Sequence, residues 1–150
     1  MINLNPKERW MLYAIKEAEK ALNIDEVPIG AIIVKENSII GRGFNQVESL
    51  NDSTAHAEII AISSAANTSG DWRLDNCFIY VTKEPCFMCF GAIINARIKK
   101  IFFGMPDNDR GFNSIYKQNN LFAPHLDHVE GNILGLESKK IIQEFFKKKR

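Results

Sequence analysis

The chain has 150 residues, 45% of them apolar and 25% charged, with a formal net charge of +1. That length suits one domain spanning 1–150 with a continuous core, and that balance excludes collagenous, disordered and broadly polyanion-seeking classes. Three cysteines, an odd number with no export signal, favour thiols kept reduced for metal binding or catalysis over a disulfide framework.

Chain order starts with MINLNPKERW, which lacks a basic stretch followed by an apolar run. No later apolar run reaches the ~18 residues of a membrane span, so a cytoplasmic protein is expected. Asn5, Pro6 and Glu8 read as N-cap, first-turn proline and capping-box acid. The helix they open is predicted to run to about Leu22, with Met11, Ile15, Ala18 and Leu22 on its buried stripe. PIGAIIVK (28–35), Glu36-Asn37 and SIIGRGFN (38–45) form a hairpin signature. TAHAEIIAISSAAN (54–67) carries a helical period, with Asp52, Ser53 or Thr54 as its cap and Ser69-Gly70-Asp71 as its end. CFIYVT (77–82) is predicted to be a buried strand. A helix from Cys86 to Ala96 behind Pro85 and a strand at KIFFG (100–104) follow. MPDNDRGFNS (105–114) reads as a surface loop. A short helix near 114–119, an irregular stretch, a brief strand near 127–131 and a helix from about 137 complete the order. Strands separated by helices predict an α/β domain with a partly parallel sheet whose first two strands are antiparallel.

Cys86 and Cys89 stand three apart at a helix start, where the dipole favours thiolate. Cys-x-x-Cys fits either a metal site or a redox pair. Catalytic zinc typically uses three protein ligands and keeps one position for water, and one His with two Cys is such a set. Of the three histidines, only His56 opens a predicted helix and is followed two residues on by an acid, Glu58. His125 and His128 read as loop or surface residues, and Cys77 as a buried strand residue. His56 and Cys86 lie thirty positions apart, yet both follow stretches of sheet, where sites of open α/β folds gather. Glu58, set among apolar neighbours, is a candidate proton carrier. Two steps along a regular helix turn about 200°, so His56 and Glu58 do not share a helix face. A non-catalytic zinc module would need no such acid and usually has four protein ligands.

HAE (56–58) and PCFMC (85–89) match the His-x-Glu and Pro-Cys-x-x-Cys signature of the zinc-dependent cytidine and nucleobase deaminases. The chain resembles, more specifically, the bacterial tRNA-specific adenosine deaminases that form inosine at the wobble position. The similar blocks are EVPIGAIIV (26–34), GRGFN (41–45), DSTAHAEIIAI (52–62), the run 72–98, FFG (102–104) and FF (145–146). The resemblance implies a three-layer α/β/α cytidine deaminase-like fold with a mixed sheet of about five strands. It also implies one zinc per chain held by His56, Cys86 and Cys89, with Glu58 moving protons, and a homodimer. It puts Asn45 on the target nucleoside, and Asp107 and Phe145 near positions that meet neighbouring nucleotides of the anticodon loop. The chain departs from the family at 107–114, one residue shorter and with Phe112 where small side chains are usual; such a ring would stack on a base or obstruct RNA. That departure and a near-neutral net charge keep a deaminase of a free base or nucleoside, such as guanine or cytosine, as the alternative. The closing KKKR (147–150) is either a solvated helix end suited to the dipole or a local patch for a polyanion.

Overall fold

The computed structural model describes residues 3–116 and 123–149. Helix α1 (Pro6–Asn23) starts as its sequence dictates: Asn5 accepts from the Glu8 N–H while Glu8 reaches back to the Asn5 N–H, a complete capping box. Strands β1 (Gly30–Lys35) and β2 (Ser38–Phe44) form the hairpin. Its two-residue turn, Glu36-Asn37, has positive φ at both positions, the geometry whose twist matches paired strands. The later elements are α2 (Val47–Leu50), α3 (Ala57–Ser69), β3 (Phe78–Lys83), α4 (Phe87–Asn95), β4 (Lys100–Met105), α5 (Asn113–Tyr116), β5 (His128–Glu130) and α6 (Gly135–Lys148).

The five strands among the described residues make one mixed sheet in the order β2-β1-β3-β4-β5. β1 is antiparallel to both β2 and β3, and β3, β4 and β5 run parallel. Alternation along the central strands sorts their side chains between two cores. Ala31, Ile33, Ile79, Val81, Ile101 and Phe103 face α3 and α4, whereas Ile32, Val34, Tyr80 and Phe102 face α1 and α6. The result is the expected three-layer α/β/α arrangement.

The seating of α3 follows from small residues on both sides. Its Ala57, Ala61 and Ala65 recur every fourth residue and are buried, and they lie over Gly41 and Gly43 of β2. A Cβ at Gly43 would stand 2.3 Å from the Ala57 carbonyl oxygen, and one at Gly41 2.5 Å from that of Ala61. Only glycine lets the helix backbone approach the strand so closely.

Several local expectations change. The helix expected from 54 begins at Ala57, with His56 as its N-cap, and Asp52 caps nothing there; instead it accepts from the Thr54 N–H and hydroxyl in a local turn. The helix expected from Cys86 begins at Phe87, with Cys86 in the extended cap position. The loop 105–114 is not wholly on the surface: Phe112 is 0% exposed and stacks on Phe90 with ring centroids 4.3 Å apart. That ring is core and has no free face for a base, so neither expected effect of Phe112 on RNA applies. The short helix expected near 114–119 is α5, with 117–119 outside the described residues, as are 120–122 of the irregular stretch. The turn Val47–Leu50 had no counterpart in the sequence reading. The last helix starts two residues earlier than expected, at Gly135.

Candidate active site

One edge of the sheet gathers the chemistry. Because β1 runs against β3, its beginning meets the ends of β2 and β3, and β3 and β4 end side by side. Ile29, Asn45, Lys83, Glu84 and Asp107 leave the sheet along this edge and line a cleft of about 360 Å³ together with His56, Glu58, Cys86 and residues of α6. That size lies within the range of about 300–1,000 Å³ typical of small-ligand pockets.

The N-termini of α3 and α4 meet at the cleft floor. His56 and Cys86 occupy equivalent extended caps, at φ −75°, ψ 156° and φ −75°, ψ 175°, and Cys89 sits in the first turn of α4. His56 Nδ1 lies 3.7 Å from Cys86 Sγ and 3.4 Å from Cys89 Sγ. A tetrahedral zinc with ordinary Zn–S and Zn–N bonds puts such atoms about 3.5 Å apart. Two sulfurs and an imidazole nitrogen are also a suitable donor set for that ion. Among the described residues these three are the only His, Cys, Asp or Glu group close enough to hold a metal.

The backbone resolves how His56 and Glu58 work on one volume. His56 lies outside the helix in an extended conformation, so the 200° helical offset does not apply, and Glu58 in the first turn faces the same cleft. Glu58 is 4% exposed. Burial raises its carboxyl pKa, opposed by its own backbone N–H and by His56. The Cys86 thiol is lowered to about 3 by its hydrogen bond from Cys89, with further help from His56. The Cys89 thiol is raised by that same bond and by burial. The hydrogen bond to Cys86 also raises His56. As ligands of a cation held between them, both sulfurs would be thiolates.

Around this floor the walls are polar and fixed. Asn45 donates from Nδ2 to the Val27 carbonyl at 3.3 Å and accepts from the Val47 N–H at 3.4 Å, which leaves one amide N–H and one lone pair for a ligand. Asp107 pairs with Lys83 at 3.2 Å and accepts from the N–H groups of Asp109 and Arg110. Phe145 is not brought to the cleft: it is buried in α6, whereas Phe146, 47% exposed, lines the opening beside Ile142. On an α-helix the neighbouring residue turns about 100° away, so a one-position difference decides which ring faces the site. His125 is exposed; His128 bonds Glu130 at 3.0 Å at the sheet's far edge. Cys77 is buried just before β3.

Sequence reasoning missed Glu26, Lys83, Glu84, Arg110 and Phe146. Glu26 was detectable as an acid beside the apolar run 27–34 and Glu84 as one beside the cysteine motif. Nothing local pointed to Arg110.

The MafB19-like deaminase family matches residues 5–150. The chain is 47% identical to a tRNA-specific adenosine deaminase of Buchnera aphidicola over 148 residues, 97% of each protein. A chain solved in studies of A-to-I editing by tRNA:A34 deaminases at the wobble position of transfer RNA has a TM-score of 0.83 and 38% identity. That match covers 89% of this chain and 98% of the other. Guanine deaminase from Bacillus subtilis is 39% identical with a TM-score of 0.66, over 76% of each chain. The chain belongs to the MafB19-like deaminase family, together with the proteins named tRNA-specific adenosine deaminase.

Proposed function

We propose that this protein deaminates adenosine to inosine at the wobble position of a tRNA anticodon loop. The observation that carries the reading is the convergence of His56, Cys86, Cys89 and Glu58 on one cleft in a chain 47% identical, over nearly its whole length, to a tRNA-specific adenosine deaminase. The chain acts as one deaminase domain, which the single sheet and the match over residues 5–150 support.

His56 Nδ1 and the sulfurs of Cys86 and Cys89 would hold zinc. When bound, zinc supplies the Lewis acidity that makes water a hydroxide nucleophile near neutral pH. Glu58 takes one proton from the water and delivers it to the ring nitrogen next to C6 as the oxygen bonds to that carbon; it then takes the remaining hydroxyl proton from that oxygen and passes it to the amine, so that the C6–N bond breaks, ammonia leaves and C6 keeps a carbonyl. Burial raises the Glu58 pKa, which makes its carboxylate a better acceptor for the proton that water gives up. Asn45 offers its spare donor and acceptor to the nucleoside. Asp107, with Phe146 in place of Phe145, meets the flanking nucleotides, and Lys139 of α6, which lines a neighbouring hollow with Lys83, Asp107 and Arg110, serves the phosphate backbone.

A target base must leave its stack to reach the cleft floor, which an anticodon loop permits at low cost. A homodimer belongs to this reading, with exposed Phe87 and Met88 on α4 as apolar surface for it; sedimentation at micromolar concentration should give twice the chain mass. Cytoplasmic residence fits a tRNA-modifying enzyme, and no described helix is long and apolar enough to cross a membrane.

Purified protein incubated with cognate tRNA, followed by digestion to nucleosides, should yield inosine. Its absence with zinc bound would end this reading. The likeness to a guanine deaminase favours one alternative, a free-base deaminase. Ammonia release from a panel of free bases, with none from RNA, would establish it.

A further inference from the structure

We propose that Glu84 is a positioning residue that anchors the loop 107–113 and thereby sets the affinity for RNA around the target base. The proposal rests on the tRNA-deaminase reading above. Glu84 is 8% exposed and stands in the wall between the cleft and a second hollow of about 420 Å³ behind the loop. It is neither a metal ligand nor a proton carrier in the mechanism. Its side-chain oxygens are nevertheless both engaged: Oε1 accepts from the Asp107 N–H at 3.1 Å and Oε2 from the Asn113 N–H at 3.0 Å. Asn113 is the first residue of α5, where backbone donors lack a helical partner. One buried carboxyl group therefore ties down both ends of the loop.

Three further contacts show that the loop is wrapped around this group. The Glu84 N–H donates to the Met105 carbonyl at 2.8 Å, and the Pro85 carbonyl accepts from the Phe112 N–H at 3.0 Å. Cys86 pairs with Gly111 in an isolated antiparallel bridge. At Gly111 a Cβ would stand 1.9 Å from Glu84 Oε2, so only a residue without a side chain lets the loop close on the carboxyl.

The loop is what presents Asp107 and Arg110 to the cleft. Glu84 fixes the Asp107 N–H; the Asp107 side chain in turn accepts from the N–H groups of Asp109 and Arg110. Lys83, the residue before Glu84, pairs with the same aspartate. The end of β3 thus grips the loop two residues before the ligand Cys86, linking the metal floor to the rim where flanking nucleotides pass. Loss of that grip moves the rim without removing any group from the floor, so it reads in KM and leaves kcat nearly intact.

The test is Glu84→Gln, which keeps the side chain's size but turns an amide NH₂ toward one of the two N–H donors. Zinc content should stay at the wild-type value and inosine formation at saturating tRNA within about threefold of wild type, while KM for tRNA rises about tenfold or more, the scale of one charge-assisted hydrogen bond. An unchanged KM overturns the proposal. So does loss of zinc and kcat together, which would place Glu84 in service of the metal floor. Should the variant not fold, amide hydrogen exchange on the wild-type protein decides: the Asp107 and Asn113 N–H groups are expected to exchange slowly, and exchange at free-peptide rates overturns the anchor. A wild-type protein that makes no inosine would sink the functional reading alone, since the exchange measurement judges the loop independently.

Discussion

Glu58 combines a position set by sequence with an environment set by folding. As the second residue of α3 it was fixed two places after His56 from the start, but its burial and its cleft-facing side chain come from packing. Glu58→Ala should bind zinc and fold as wild type while losing turnover by about 10²–10⁴-fold, the usual worth of a positioned acid–base group; parallel metal analysis and rate measurement check it. Glu26 makes a different use of burial. It is 1% exposed, and its oxygens accept from the N–H groups of Glu48 and Ser49 at 3.0 and 2.7 Å, pinning α2 beside the cleft. Burial works against the charge, but those bonds prevail and hold its pKa below the ordinary 4.5. A depressed folded-state pKa means stability that is present above 4.5 and disappears as pH falls through the lower folded value. Glu26→Gln should therefore cost about 1–3 kcal/mol near neutral pH. That difference should shrink in acid, as read from urea unfolding at a series of pH values. Equality at neutral pH would contradict the assigned bonds.

Between α3 and β2 the contact sets alanines of the helix against glycines of the strand, and it sets the height of His56 over the sheet. Gly43→Ala would drive a methyl group against the Ala57 carbonyl. Since the nearest atoms it meets, the Ala57 oxygen and the Ala61 nitrogen at 2.6 Å, are both backbone, the helix must move. The expected cost is about 1–3 kcal/mol, in the range of overpacked cores, with weakened zinc retention because His56 sits at the shifted end. Thermal unfolding and metal titration would show both effects together. Most elements were legible in the chain: the capping box of α1, the Glu36-Asn37 turn and the alternating central strands each carry local signals strong enough to stand alone. The starts of α3 and α4 were not. A cap residue differs from a first-turn residue only in its own φ and ψ, and here no side-chain hydrogen bond marks it. That small shift removed the apparent conflict between His56 and Glu58.

Across the whole molecule, the two helix N-termini and four strand ends come together on one sheet edge. A metal held there would add a tie between α3 and α4, which also pack directly on one another. Chelation should abolish turnover and lower thermal stability, by about 2.7 kcal/mol where zinc had stood at a hundred times its dissociation constant, and added zinc should restore both. A melting curve unchanged by complete metal removal would contradict a load-carrying site at this position. The same edge explains why Phe112 was misjudged. Composition marks 105–114 as turn-forming, but whether a ring in such a loop points out or in depends on what lies beneath, and here Phe90 of α4 lies beneath it. The choice of Phe146 over Phe145 is of the same kind, decided by how α6 is rotated on the sheet.

By itself the sequence determined the element types, the layered α/β class and the candidates for metal binding and proton transfer, because each rests on short-range spacing or on a motif whose chemistry is specific. Only the tertiary structure decided that His56 and Cys86 occupy matching caps, that Phe112 is core, and that Glu84 holds the rim loop. Those outcomes depend on contacts between segments distant along the chain, where packing, hydrogen-bond satisfaction and exclusion of water act jointly and no local pattern records the result.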